Sequence, residues 1–158
     1  MTLSISDVMK TDVRTVGPRM PVAELERTLI SHRLSGFPVV EEEELVGVVS
    51  RSDIVRMLDV ERAHEEQISD YYRTWVPETD AESIAGTGSR IGARMEGKVV
   101  ADVMVKHVIT CRAEQALREA AATLLEYDIH RLPITEKGRL VGIVTSMDLV
   151  RVIAEGRS

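Results

Sequence analysis

The chain is 158 residues long, 44% hydrophobic and 29% charged, a composition that supports a buried core and excludes disordered and fibrous classes. Its 20 basic and 26 acidic residues give a net charge of −6, which opposes nucleic acid or an anionic membrane as main partner but leaves room for a small phosphate ligand held by local cations. No apolar run approaches the roughly 18 to 20 residues a spanning helix needs. The N-terminus lacks the build of a signal peptide, and the single cysteine, Cys111, has no internal disulfide partner, so a cytoplasmic protein is expected.

The first predicted element is a short strand at Val13–Val16. Helical periodicity follows over Val22–Arg33, with Val22, Leu25 and Leu29 on one face and Pro21 suited to the first turn. Two β segments come next, Phe37–Val40 and Leu45–Ser50, joined by the polar turn Glu41–Glu44. A helix starts near Ser52. Neither Gly nor Pro occurs from Val48 to Val76, so this helix is expected to run on, carrying Met57, Val60, His64, Ile68, Tyr71 and Trp75 on one stripe until Pro77 ends it. Residues 77–98 hold four of the ten glycines and read as a linker with short turns, Thr79 and Glu82 supplying a cap. The elements then recur: strand Val108–Cys111, helix Leu117–Asp128, β segments Leu132–Thr135 and Leu140–Thr145 around a turn containing Gly138, and a helix from Met147.

That recurrence is an internal repeat. An offset of 95 aligns residues 5–58 with 100–153 without a gap, pairing Asp7-Val8-Met9 with Asp102-Val103-Met104, Pro38 with Pro133, Gly47 with Gly142 and Asp53 with Asp148. The expected domains are repeat one (5–58), an inserted helix and Gly-rich linker (59–99), and repeat two (100–153). Each repeat reads as β-α-β-β-α. A unit of this size buries a marginal core alone, so the two should pack as one α/β (α+β) body with pseudo-two-fold symmetry.

The chemistry concentrates at the Gly-h-h-Ser/Thr-x-x-Asp stretch in each half. There a strand delivers Ser50 or Thr145 to the start of a helix, whose free N–H groups favour anions. Asp53 and Asp148, one turn later, can accept both hydrogen bonds of a vicinal ribose diol. The same spacing is also a helix-start capping box, and that alternative stands beside the first. Enzyme-like patterns fail. Gly86–Gly92 misses the dinucleotide fingerprint and follows no strand, His64-Glu65-Glu66-Gln67-Ile68 lacks the second zinc histidine, and no nucleophile, base or metal set assembles.

The halves resemble the cystathionine-β-synthase (CBS) domain, found in tandem as a Bateman module. The residues that carry the likeness are the two Asp-Val-Met triplets, Ser35-Gly36-Phe37-Pro38-Val39-Val40 with His130-Arg131-Leu132-Pro133-Ile134, and Gly47–Asp53 with Gly142–Asp148, over about two-thirds of the chain. The resemblance implies a non-catalytic regulatory module that binds an adenine nucleotide or adenosyl ligand (AMP, ADP or ATP class), requires no cofactor or metal, and signals to an unidentified partner protein as a homodimer. It maps a main cleft onto Thr110, His130, Arg131, Pro133, Thr145 and Asp148, with Lys106 as a further cation. A weaker cleft maps onto Thr15, Phe37, Pro38, Ser50 and Asp53, with Arg51 as its cation, because Ser35-Gly36 replace the His-Arg pair there. Adenine would rest among Val16, Phe37 and Val39, or among Cys111, Leu132 and Ile134, residues that read equally as plain core. The rival expectation is a ligand-free scaffold in which the 57–75 helix recruits a partner through Ile68, Tyr71, Tyr72 and Trp75.

Overall fold

The computed structural model describes residues 2–58, 70–72 and 96–157. Repeat one contains α1 (Val22–His32), β1 (Gly36–Glu41), β2 (Glu44–Ser50) and α2 (Arg51–Leu58). Repeat two contains α3 (Val100–Val103), β3 (Cys111–Arg112), α4 (Leu117–Glu126), β4 (Arg131–Glu136), β5 (Arg139–Thr145) and α5 (Ser146–Ala154). One five-stranded sheet runs β1-β2-β5-β4-β3. Antiparallel hairpins β1/β2 and β4/β5 form most of it, and β3 lies parallel to β4. The two hairpins join around the Glu44–Arg139 pair, where Leu45 N–H donates to Gly138 O and Leu140 N–H to Glu43 O, so the sheet is continuous there.

The repeat survives in detail. Both hairpins shift register at matching places, between Val39 and Val40 and between Ile134 and Thr135. Arg33 and Asp128 take left-handed conformations just after α1 and α4, a common way for a helix to stop. The turns Glu42-Glu43 and Lys137-Gly138 have positive φ at both residues, the geometry that matches the twist of a two-residue hairpin.

What binds the halves together is a reciprocal exchange of their opening segments. Residues 3–10 leave repeat one and pair with repeat two: Ile5 N–H donates to Gln115 O, Leu117 N–H to Leu3 O, and Lys10 and Ile143 exchange both backbone bonds at 2.9 Å. Residues 98–105 cross the other way, through Val100 N–H to Met20 O, Val22 N–H to Lys98 O, and Val48 paired with Val105. The Asp-Val-Met triplets thereby acquire a job. Asp7 and Asp102 each accept a backbone N–H, from Ser4 and from Val99 at 2.8 Å, closing a one-turn helix. Met9 and Met104 lie against Gly142 and Gly47 of the opposite half, where a β-carbon would collide with the crossing strand. Two apolar cores result, and Ile5 is buried in the one of repeat two while Val100 is buried in the one of repeat one.

Two expectations are corrected. Val13–Val16 forms no strand; only Val16 bridges to Val39, because this segment is the far end of the crossing. Tyr71, expected on a continuous helical stripe that either covers the chain's own flank or meets a partner, stands in no such helix. Asp70–Tyr72 is a single 3₁₀ turn, and Tyr71 and Tyr72 are 0% and 1% exposed. These two rings are therefore interior packing within one chain, not an open partner surface. Val60, His64, Ile68, Trp75 and the linker over 77–95 lie outside the described residues.

Candidate functional site

At the end of β5, Thr145 and Asp148 form the capping box that their spacing predicts. Asp148 Oδ2 accepts from Thr145 N–H at 2.9 Å and from its hydroxyl at 2.8 Å. Ser50 and Asp53 repeat this at the end of β2, at 2.8 and 3.0 Å. Both carboxylates are buried, and capping thus occupies one oxygen of each. The second oxygens differ. Asp53 Oδ1 takes Arg56 at 3.2 Å, whereas Asp148 Oδ1 takes Lys10 Nζ at 3.1 Å as well as Arg151 at 3.6 Å. Lys10 arrives on the crossing segment, and its counterpart one repeat on is Val105, which carries no charge. Burial pushes the Asp148 carboxyl up, but the Thr145 N–H and hydroxyl and the Lys10 ammonium together hold it below the ordinary carboxylate range.

The crossing also reassigns the threonines. Residues 11–15 run from β5 of repeat two, where Lys10 pairs with Ile143, to β1 of repeat one, where Val16 bridges Val39. Exposed Thr15 accordingly shares a cavity of about 410 Å³ with Thr11, Val13, Val40, Glu43, Arg139, Leu140 and Val141, so its neighbours come from the strand that leads to Thr145 rather than from β2 and Ser50. Residues 106–110 run the mirror path from β2, where Val105 pairs with Val48, to β4, where Cys111 pairs with Ile134. Half-buried Thr110 and exposed Lys106 belong to that second path. Asp148 thus meets Lys10 from the crossing segment of the other repeat, while Thr15 lies beside the opening residues of β5.

The His-Arg pair stands where β4 begins, with Arg131 opposite Thr145 in the hairpin and His130 O accepting from Ser146 N–H. The mirror bond joins Arg51 N–H to Ser35 O. Arg131 points across to repeat one, donating to Ser35 Oγ at 3.2 Å, and its guanidinium lies 5.2 Å from the centre of the Tyr71 ring. Burial lowers the Arg131 pKa, with Tyr71 opposing. Exposed His130 donates its backbone N–H to Tyr72 O at 2.7 Å, and the Tyr72 hydroxyl accepts from Ile109 N–H at 2.9 Å.

The expected apolar walls are interior. Phe37, Val16 and Val39 sit in one core, Cys111, Leu132 and Ile134 in the other, and Pro38 and Pro133 are buried in their strands. Phe37 is 1% exposed and shares its strand face with Val39, which is fully buried. Burial raises the Cys111 thiol pKa, although a contact with the Thr123 hydroxyl opposes it, and a protonated buried thiol is no nucleophile. Among the described residues no cluster of His, Cys, Asp and Glu could hold a metal, and no helix is long and apolar enough to cross a membrane. Lys10, Tyr71 and Tyr72 are the parts of this region that spacing did not place; they come into it through contacts distant in sequence.

Residues 5–60 and 100–155 each match the profile of the CBS domain, and the chain belongs to the CBS-domain family. It is 31% identical over 145 residues to the CBS domain-containing protein CBSX1 of Arabidopsis thaliana, named as chloroplastic, covering 90% of this chain and 59% of that protein. It is 26% identical to the CBS domain-containing protein YhcV of Bacillus subtilis, covering 92% of this chain and 82% of the relative. The chain thus spans less than two-thirds of CBSX1. Its fold is that of a CBS pair: the structure of CBSX2 from Arabidopsis thaliana superposes with a TM-score of 0.70 at 25% identity over 99% of this chain and 98% of that one. CBSX2 has also been crystallised with AMP (TM-score 0.68, 24% identity, 98% of each chain). The CBS pair of protein MJ0100 has been crystallised with 5′-methylthioadenosine and S-adenosylmethionine (TM-score 0.62, 21% identity, all of each chain).

Proposed function

We propose that this chain is a cytoplasmic, non-catalytic regulatory module that binds an adenine nucleotide or adenosyl ligand between its repeats and reports occupancy to a separate protein. The supporting observation is the corner at the end of β5. A capped carboxylate at Asp148, a hydroxyl at Thr145 and a cation at Lys10 meet there, the last carried in by the crossing segment of the other half. A ribose diol would compete with Lys10 for Asp148 Oδ1 and leave that ammonium for phosphate. Because the corner draws on both repeats, a ligand there favours one arrangement of them, which is the differential affinity any signal requires. Titration with AMP, ADP, ATP, S-adenosylmethionine and 5′-methylthioadenosine tests this by thermal shift. At 100 times Kd a ligand adds about 2.7 kcal/mol of stability, and no rise in Tm with any of them at millimolar concentration ends the adenine reading.

The homodimer is carried by a different surface from the aromatic stripe. On α5 the i, i+3 positions Met147, Val150 and Ile153 are exposed, Ile153 at 71%, and on the contacting helix α4 Leu125 is 82% exposed. A second copy covering these side chains would form the dimer. Leu125→Lys with Ile153→Lys is expected to yield a monomer by light scattering with ligand affinity changed less than twofold; an unaltered mass rejects this interface.

A further inference from the structure

We infer that the Tyr71–Tyr72 turn is a built-in occupant of one inter-repeat cleft, so that the chain takes its ligand only in the other. The inference rests on the adenine reading above. The turn comes from the insert that follows repeat one, yet both rings are fully enclosed between the halves. Tyr71 faces Gly36, where an added β-carbon would stand 3.2 Å from its ring and 3.2 Å from Ser50 Cα, and its other side lies by Arg131. The rings meet edge to face, 5.1 Å apart. Tyr72 spends its hydroxyl on Ile109 N–H and its carbonyl on His130 N–H. Three of the groups at which a ligand would be recognised on this side, namely the Ile109 amide, the His130 amide and the Arg131 guanidinium, are thus already met by side chains and backbone of the same molecule.

The chemistry of this occupancy is ligand-like. An aromatic ring with a polar edge fills an apolar slot and satisfies a backbone N–H that would otherwise be buried without an acceptor. A cation sits against the second ring as it would against a phosphate-bearing base. The mirror segment, residues 11–15, lines a cavity of about 410 Å³ together with the opening residues Arg139–Val141 of β5. The insert thus adds to the inequality that the repeats already carry in Lys10 against Val105 and in His130-Arg131 against Ser35-Gly36.

Calorimetric titration of the full chain with AMP, alongside amide hydrogen exchange of the ligand-free protein, tests the inference. The expected results are one AMP per chain, slow exchange at Ile109 and His130, and two AMP per chain in Tyr71→Ala/Tyr72→Ala confirmed folded by circular dichroism. Tyr72→Phe, which removes only the hydroxyl, covers the case in which the double variant does not fold: Ile109 exchange should rise at least tenfold. Two AMP per chain in the unaltered protein overturns the inference while the adenine reading stands. Fast Ile109 exchange, or exchange unchanged by Tyr72→Phe, overturns it whatever binds. AMP and the other adenosyl compounds failing to bind either protein defeats the adenine reading, and the one-site claim with it.

Discussion

Gly142→Ala is expected to lower stability by about 2 kcal/mol, a fall in Tm of roughly 4–8 °C for a chain of this size. A β-carbon there would stand 2.7 Å from Met9 Sδ and 2.9 Å from the Lys10 carbonyl oxygen. The sulfur can swing away, but the carbonyl belongs to the backbone pair with Ile143, so relief requires the crossing segment to peel from β5. Gly47→Ala should behave alike, because its β-carbon would meet the Val105 carbonyl at 2.9 Å and Met104 Sδ at 3.0 Å. Gly17→Ala is the control: nothing lies within 4 Å of it, and a surface change of that kind stays within about 0.5 kcal/mol. Chemical denaturation of the three variants decides the matter, and equal midpoints would refute the account of these glycines as contact points for the exchanged segments.

Asp148→Asn is expected to cost about 2–3 kcal/mol at neutral pH and at least tenfold in ligand affinity. The side chain is 2% exposed; asparagine keeps the shape but removes the charge that Lys10 and Arg151 face, and breaking a buried charged hydrogen-bond set is among the more costly single changes. The pH dependence carries the sign. The folded carboxyl lies below its ordinary value of 3.8, so the folded state binds the proton less readily than the unfolded one. Its contribution is complete well above pH 3.8 and is lost as pH falls through the lower folded value. In Asp148→Asn that part of the acid transition should vanish, which denaturation midpoints between pH 3 and pH 7 would reveal as a flatter curve. Asp53→Asn should leave ligand affinity within twofold, since the Tyr71–Tyr72 turn stands on the Ser50 side; comparable losses in the two variants would contradict the one-sided site.

The aromatic cluster shows how far the sequence can be read. Tyr71, Tyr72 and Trp75 stand out as a group in an aromatic-poor chain, and helical spacing suggests a stripe that either covers the chain's own flank or meets a partner. Spacing records that residues prefer burial but carries no information about what buries them, and the structure folds two of the three back between the repeats. Asp148 is the converse case. Its capping geometry is local, spans three residues, and was legible as one of two readings; the ion pair with Lys10 joins positions 138 residues apart, and no period or motif announces it.

The sequence by itself determined the duplication, the first helix and the two-stranded hairpin of each repeat, the hairpin turns and the two Ser/Thr-x-x-Asp corners, because all of these are set by contacts within a few residues or by the fixed offset of 95. Only the tertiary structure decided that residues 3–10 and 98–105 change places, that Thr15 therefore faces the strand leading to Thr145, that Lys10 meets Asp148, and that the insert returns to fill one side. Those outcomes depend on pairing between segments on the order of a hundred residues apart, where many partners satisfy the same hydrophobic and hydrogen-bonding demands. The choice among them is made by close packing, as at Gly47 and Gly142, where only a residue without a side chain lets the opposite repeat come near enough to bond.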